Sequence, residues 1–196
     1  MTTGILGGAF DPPHNGHVAL ARAAIRHLGL TRLSVCVSGR PGHKQVELAA
    51  PLRVRLAEAA FADVPGAEVT LDEHPFTIDL LEGGAFDGAY FVVGADQLAA
   101  FLSWREPDRV LEHVLLAVGT RPGYPQALLD PVLAQLQRPE RVVCFALDEP
   151  VAASSQEIRA LAARGAPLAE LVPPGVARLI AELGLYAQPG PTEHLH

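Results

Sequence analysis

Short apolar runs alternate with amphipathic stretches along this chain, and that alternation constrains its fold more than any other feature. TGILGG ends in glycines, and HVALARAAIRHLGL after it has helical spacing and is closed by Gly29. RLSVCVSG is rich in β-branched residues and leaves through the glycine- and proline-containing turn at 39–42. LRVRLAEAAFADV then reads as a helix and AEVTLDEH as a strand. AYFVVGAD and EHVLLAVGTRPG read as buried strands, and YPQALLDPVLAQLQ as a helical stretch before the strand RVVCFAL. SSQEIRALAARG and PPGVARLIAELGLY make the last quarter helical. Strands alternating with helices predict an α/β fold: an open, doubly wound parallel sheet with right-handed crossovers and a helical C-terminal part. Such sheets bind ligands beyond the carboxyl ends of their strands, where the strand order reverses. The loops after the first, second and fourth strands are therefore the places to search.

The 196 residues suit one domain, expected over residues 1–186, with residues 187–196 a frayed tail carrying Pro189 and Pro191. Lys and Arg number 15 against 22 Asp and Glu, a formal net charge of -7, which argues against a nucleic-acid binder needing a basic stripe. An anionic substrate would instead need positive charge concentrated in one site. Cys36 and Cys144 sit in apolar runs and are expected to be small core residues, not a disulfide or metal framework. No segment approaches the ~18 uninterrupted apolar residues of a membrane span. MTTGILGGAF lacks the basic start of a secretory signal, so the expected compartment is the cytoplasm.

The densest signal is GGAFDPPHNGH, residues 7–17, between the first strand and the first helix. Gly7 and Gly8 permit close backbone approach, Pro12 and Pro13 stiffen the loop, and Asn15-Gly16 turns it into the helix. His14 and His17 then stand at a helix N-terminus, whose N–H groups and dipole favour an anion such as a polyphosphate. A tight turn capped by Asn15 with two exposed histidines is the plain alternative, and it leaves the crowding of Gly-Gly, Pro-Pro and both histidines without a reason. The string is neither the dinucleotide fingerprint nor a P-loop. No zinc site is expected, since no Cys or carboxylate lies at metal-site spacing from the histidines and HExxH is missing.

Lys44, in PGHK after the second strand, is the only lysine; every other Lys or Arg is Arg. Its compact ammonium is a good point charge for phosphate, although a solvated loop lysine would look the same. Arg53, at the start of the following helix, reads as structural. In SSQEIR, Ser154 and Glu157 form a capping box, and a capped N-terminus also offers N–H groups and hydroxyls to an anion, with Arg159 one turn in. Asp96 in VVGAD stands at a strand's carboxyl end. Trp104, the only tryptophan, is either core or a stacking platform. Thr77 and Asp79 in PFTIDLL fit a helix cap or a ligand contact.

In this order, GGxFDPxHxGH, PxHK, FTID-L, VGAD, a Trp, RPG and SSxxIR resemble the bacterial nicotinate-nucleotide adenylyltransferases of the HxGH nucleotidyltransferase superfamily. The resemblance runs from about residue 4 to Tyr186. It implies a Rossmann-like nucleotidyltransferase fold and transfer of AMP from ATP to nicotinate mononucleotide with Mg²⁺, yielding nicotinate adenine dinucleotide and pyrophosphate in NAD biosynthesis. It further implies small-molecule substrates, no membrane or nucleic-acid partner, and no metal ligand among the protein side chains. His14, His17, Lys44 and Arg159 would be catalytic. Gly7, Gly8, Phe10, Gly94, Asp96, Ser154 and Ser155 would join both histidines and Arg159 in binding ATP. Lys44, Thr77, Trp104 and Arg121 would bind the nicotinate nucleotide. The chain departs from the family pattern at Ala9, Gln156, Pro75-Phe76 and Gly42, none of them a charged phosphate contact. The same transfer to nicotinamide mononucleotide or phosphopantetheine, and a non-catalytic nucleotide sensor, are the alternatives.

Overall fold

The computed structural model describes residues 1–41, 45–121, 125–148 and 153–187. Six strands form one sheet: β1 (Thr3–Gly8), β2 (Arg32–Ser38), β3 (Ala67–Asp72), β4 (Tyr90–Gly94), β5 (Leu115–Thr120) and β6 (Val142–Ala146). All are parallel, in the order β3-β2-β1-β4-β5-β6, so the order reverses between β1 and β4. Every strand expected from the sequence is present. The apolar runs TGILGG and YFVVG are strands buried on both faces, which is why they read as nearly continuous hydrophobic segments.

Helices α1 (Asn15–Leu28) and α2 (Ala50–Phe61) cross over from β1 to β2 and from β2 to β3. The chain then forms α3 (Thr77–Leu81), α4 (Ala95–Phe101), α5 (Pro107–His113), α6 (Asp130–Leu133), α7 (Ser155–Ala162) and α8 (Pro174–Glu182). The period-2 alternation of the strands divides the apolar side chains between two cores. Leu6 and Val92 face a core shared with α1, α2, α7 and α8. Their strand neighbours Ile5, Phe91 and Val93 face a second core with α3, α4 and α5. On the first face α8 lies close against α2, where a Cβ on Gly175 would stand 3.2 Å from the carbonyl oxygen of Ala59.

Two expectations are corrected. The stretch YPQALLDPVLAQLQ is not one helix: a 3₁₀ turn at Gln126–Leu128 is followed by the single turn α6, because Pro131 has no N–H to continue a helix through it and opens a new one instead. Cys144 is exposed, unlike the buried Cys36, because β6 is an edge strand on which Cys144, unlike its buried neighbour Phe145, is left uncovered. Both thiols are free. Of the expected tail, Ala187 is described and exposed, and residues 188–196 lie outside the described residues.

Candidate active site

The reversal between β1 and β4 opens a crevice at the carboxyl ends of the strands, a cleft of about 1690 Å³. Its floor is Gly7 and Gly8. A Cβ on Gly7 would lie 3.2 Å from the Phe91 ring, and one on Gly8 would lie 3.0 Å from the Phe10 ring, so both glycines let an aromatic ring pack close against the backbone at the cleft floor. Phe10 adopts φ 50 and is 2% exposed. Its ring sits edge-on beneath His17, centroid to centroid 5.1 Å, and against Phe61 at 5.7 Å. Phe10 thus supports the histidine from below.

His14, and not Asn15, caps α1: Asn15 is the first helical residue and its side chain is drawn away to the carbonyl of Glu170 at 2.9 Å. The backbone N–H of His14 donates to Nδ1 of His17 at 3.2 Å, and the two rings lie 3.8 Å apart. In the neutral His17 ring that bond places the proton on Nε2. The start of α1 therefore offers the cleft backbone N–H groups, the positive end of a helix dipole and two imidazoles.

The N-terminus of α7 faces the same cleft. Ser154 Oγ accepts from the Glu157 N–H at 3.1 Å, the expected cap. Ser155 Oγ donates to the Pro12 carbonyl at 2.9 Å, binding this helix start to the β1–α1 loop. Arg159 donates through one terminal nitrogen to the Asp11 carbonyl at 2.7 Å and through Nε to Glu47 at 2.8 Å. Asp11, 2% exposed, accepts from the Glu47 N–H at 2.5 Å and from the Tyr186 hydroxyl at 2.7 Å. Burial, and then the hydrogen bond to Asp11, push the Tyr186 phenol far above its ordinary range. Arg53, 1% exposed, donates to the carbonyls of Leu48, Ala9 and Ser38, which bears out its structural reading. The departure at Ala9 falls on a residue whose backbone carbonyl is what the network uses.

The other wall carries the remaining candidates. Gly94 ends β4, and Asp96 stands exposed in the first turn of α4, beside the cleft. Thr77 opens α3. Trp104, after α4, is half-buried, packs edge-on against Phe91 and Phe101 at 5.8 and 5.2 Å, and still borders the cleft. It is thus part of the core and part of the cleft wall. Arg121 borders the cleft just beyond β5, whereas Lys44 with Pro122-Gly123 lies outside the described residues. The described candidates named from the sequence meet in this one cleft, except Asp79, which lies in the first turn of α3 and does not line it. Asp11, Glu47 and Tyr186 were missed. Asp11 at least stood inside the GGAFDPPHNGH string, while nothing in the sequence marks the other two.

Comparison with known proteins follows the same lines. Residues 5–161 match the family described as Cytidylyltransferase-like. A Bordetella avium protein named "Probable nicotinate-nucleotide adenylyltransferase" is 40% identical over 194 residues, covering 93% of this chain and 96% of that one. A Rubrobacter xylanophilus protein of the same name is 33% identical over 205 residues, covering 95% and 92%. The fold is shared with the Plasmodium falciparum nicotinic acid mononucleotide adenylyltransferase complexed with NaAD, at TM-score 0.76 and 16% identity over 94% of this chain and 97% of the other.

Proposed function

The chain belongs to the cytidylyltransferase-like family and within it to the nicotinate-nucleotide adenylyltransferases, and from that premise we propose how its cleft carries out the reaction. The enzyme transfers AMP from ATP to nicotinate mononucleotide in NAD biosynthesis. A 5′-phosphate oxygen of the mononucleotide forms a bond to the α-phosphorus as the bond to the bridging oxygen breaks. Pyrophosphate leaves with that electron pair.

The attacking phosphate is already anionic at neutral pH, so the protein needs no general base. Its task is to position two anions against each other and stabilise the charge that develops between them. The single observation that carries this reading is the convergence of two helix N-termini, α1 with His14 and His17 and α7 with Ser154 and Arg159, on one cleft. His17, its Nδ1 occupied by the His14 N–H, donates from Nε2 to the α-phosphate. His14 and the first N–H groups of α1 share the triphosphate, and Arg159 with the α7 terminus takes its β and γ groups. Lys44 adds a phosphate charge. Gly7 and Gly8 admit the nucleotide, Asp96 after Gly94 meets the adenosine, and Thr77, Trp104 and Arg121 meet the acceptor.

Mg²⁺ travels with ATP in this proposal. That ion would be held by phosphates and water, with Asp96 on the cleft as the carboxylate that would contact it. Such an ion supplies charge neutralisation on the phosphates. The two free thiols fit a reducing compartment, the cytoplasm. Among the described residues no helix is long and apolar enough to cross a membrane.

Pyrophosphate release from ATP and Mg²⁺ tests the proposal, with nicotinate mononucleotide, nicotinamide mononucleotide and phosphopantetheine offered in parallel. Preference for the first is the expected result. Turnover with another acceptor overturns the substrate, and ATP binding without any turnover favours the sensor.

A further inference from the structure

One further cation borders the cleft beside the acceptor candidates. Arg105 follows Trp104 directly and borders the cleft, with its guanidinium carbon 4.7 Å above the centre of the Phe76 ring. Phe76 is the residue that precedes Thr77 at the start of α3, so this stacking fixes the arginine head over the segment that carries the acceptor contacts. Phe76 is also one of the departures from the family pattern.

Glu106 divides its carboxylate between two guanidiniums, those of Arg105 and Arg109. Nε of Arg105 is ion-paired with one Glu106 oxygen at 3.7 Å, while Arg109 donates to the other at 2.8 Å and also pairs with Glu82. The same wall carries Asp72, only 13% exposed, with His74 bound to it at 2.7 Å. Beside Asp72, in a protein of net charge -7, an anionic group on the acceptor ring would meet repulsion unless a cation stood next to it. Arg40 and Arg121 also border the cleft, at the exits of β2 and β5, and neither adjoins Trp104 or Thr77 in the chain.

We propose that Arg105, held over Phe76, is the specificity-determining residue that pairs with the carboxylate of the pyridine ring and makes this cleft prefer the acid over the amide. The inference rests on the adenylyl-transfer reading and deepens it, by naming which side chain of this chain distinguishes two acceptors of nearly equal shape. A guanidinium donates to both oxygens of a carboxylate, while an amide offers it one acceptor and no charge. The discrimination is made in binding, so it belongs to KM for the mononucleotide.

The test compares wild type, Arg105→Gln and Arg105→Lys by steady-state pyrophosphate release with nicotinate and nicotinamide mononucleotides, together with calorimetric binding of each mononucleotide alone. Arg105 is half exposed, so its replacement leaves the fold intact. For Arg105→Gln the acid-to-amide ratio of kcat/KM should fall on the order of 10- to 100-fold, carried by KM for the acid, as for loss of one charge-assisted contact. Arg105→Lys should restore part of it, because the charge remains and the flat stacking does not. Phe76→Leu, which removes the ring beneath the guanidinium, should lower the ratio by a smaller factor. An unchanged ratio in Arg105→Gln overturns the inference while leaving the reaction standing. Equal losses with both acceptors also overturn it, since they would show packing and not charge. Wild-type protein that turns over neither mononucleotide would overturn the adenylyl-transfer reading itself, and this inference with it.

Discussion

Arg53 shows how this fold handles charge one residue at a time. At 1% exposure its guanidinium reaches three backbone carbonyls, at Ala9, Ser38 and Leu48. Burial lowers its pKa, and the nearby negative charge of Asp11 opposes that shift. Arg53→Met keeps most of the bulk and removes that donor from those carbonyls. Urea unfolding should show a loss of about 3 kcal/mol, and a loss under about 1 kcal/mol would mean that water replaces the arginine. His17 faces the cleft from the start of α1. His17→Ala should lower kcat by on the order of 10²–10³ with folding intact, the loss expected for one transition-state donor; near-normal turnover would refute the role.

A buried thiol and a half-buried phenol should make the fold less stable at alkaline pH. Burial pushes the Cys36 thiol from 9.0 up to about 11, with the Thr70 hydroxyl opposing the shift. The unfolded chain loses this proton near pH 9 while the fold keeps it. Stability from Cys36 is therefore full below pH 9 and is lost as pH rises from 9 to about 11. The Tyr186 phenol, raised from 10.0 in the same direction, adds its own loss above pH 10. Unfolding followed against pH should show Cys36→Ala flattening the decline between about 9 and 10, and Tyr186→Phe flattening it only above about 10. If both variants retain the wild-type slope, other groups cause the decline.

At the scale of elements, the cleft depends on how α1 and α7 begin. Ser154 is a cap before it is a ligand. Ser154→Ala should cost about 1 kcal/mol of stability. Ser155→Ala, which cuts the tie to Pro12, should instead weaken nucleotide binding more than it weakens the fold. Thermal unfolding with and without ATP separates the two, and identical behaviour of the variants would deny them distinct roles. The helices themselves were legible in the sequence, since the α1 apolar spacing, Gly29 and the capping box are local signals. The segment around Trp104 was less so. Its helices α4 and α5 are only 7 residues each, too short for periodicity to stand out. The plain alternative of an Asn15 cap rested on its propensity as a cap former, and only the Glu170 carbonyl, 155 positions away, explains why its side chain turns aside.

For the whole molecule, the cleft is a seam between halves of the sheet, and its ligand should act as a clamp. ATP at about 100 times its Kd should raise the unfolding free energy by about 2.7 kcal/mol through mass action alone. Glu47 holds Arg159 from the rim of this seam. Glu47→Gln keeps the size and removes the charge, which should release Arg159 and tighten ATP binding severalfold. Weaker binding in calorimetry would show instead that Glu47 aims the arginine at its ligand.

By itself the sequence determined the six strands, the helices α1, α2, α7 and α8, the parallel sheet, and the two polyphosphate-suited helix starts. These follow from periodicity, glycine placement and residue chemistry within windows of about ten residues, which the backbone obeys before any long-range contact forms. It could not determine the network that holds those starts in register. Asp11 meets Glu47 across 36 positions and Tyr186 across 175, and Arg159 reaches Asp11 across 148. Such contacts carry no spacing rule, because the folded path of the chain alone sets the distance between their ends. The tertiary structure decided them, along with the fate of Trp104 as both core and cleft wall and the placing of Arg105 over Phe76.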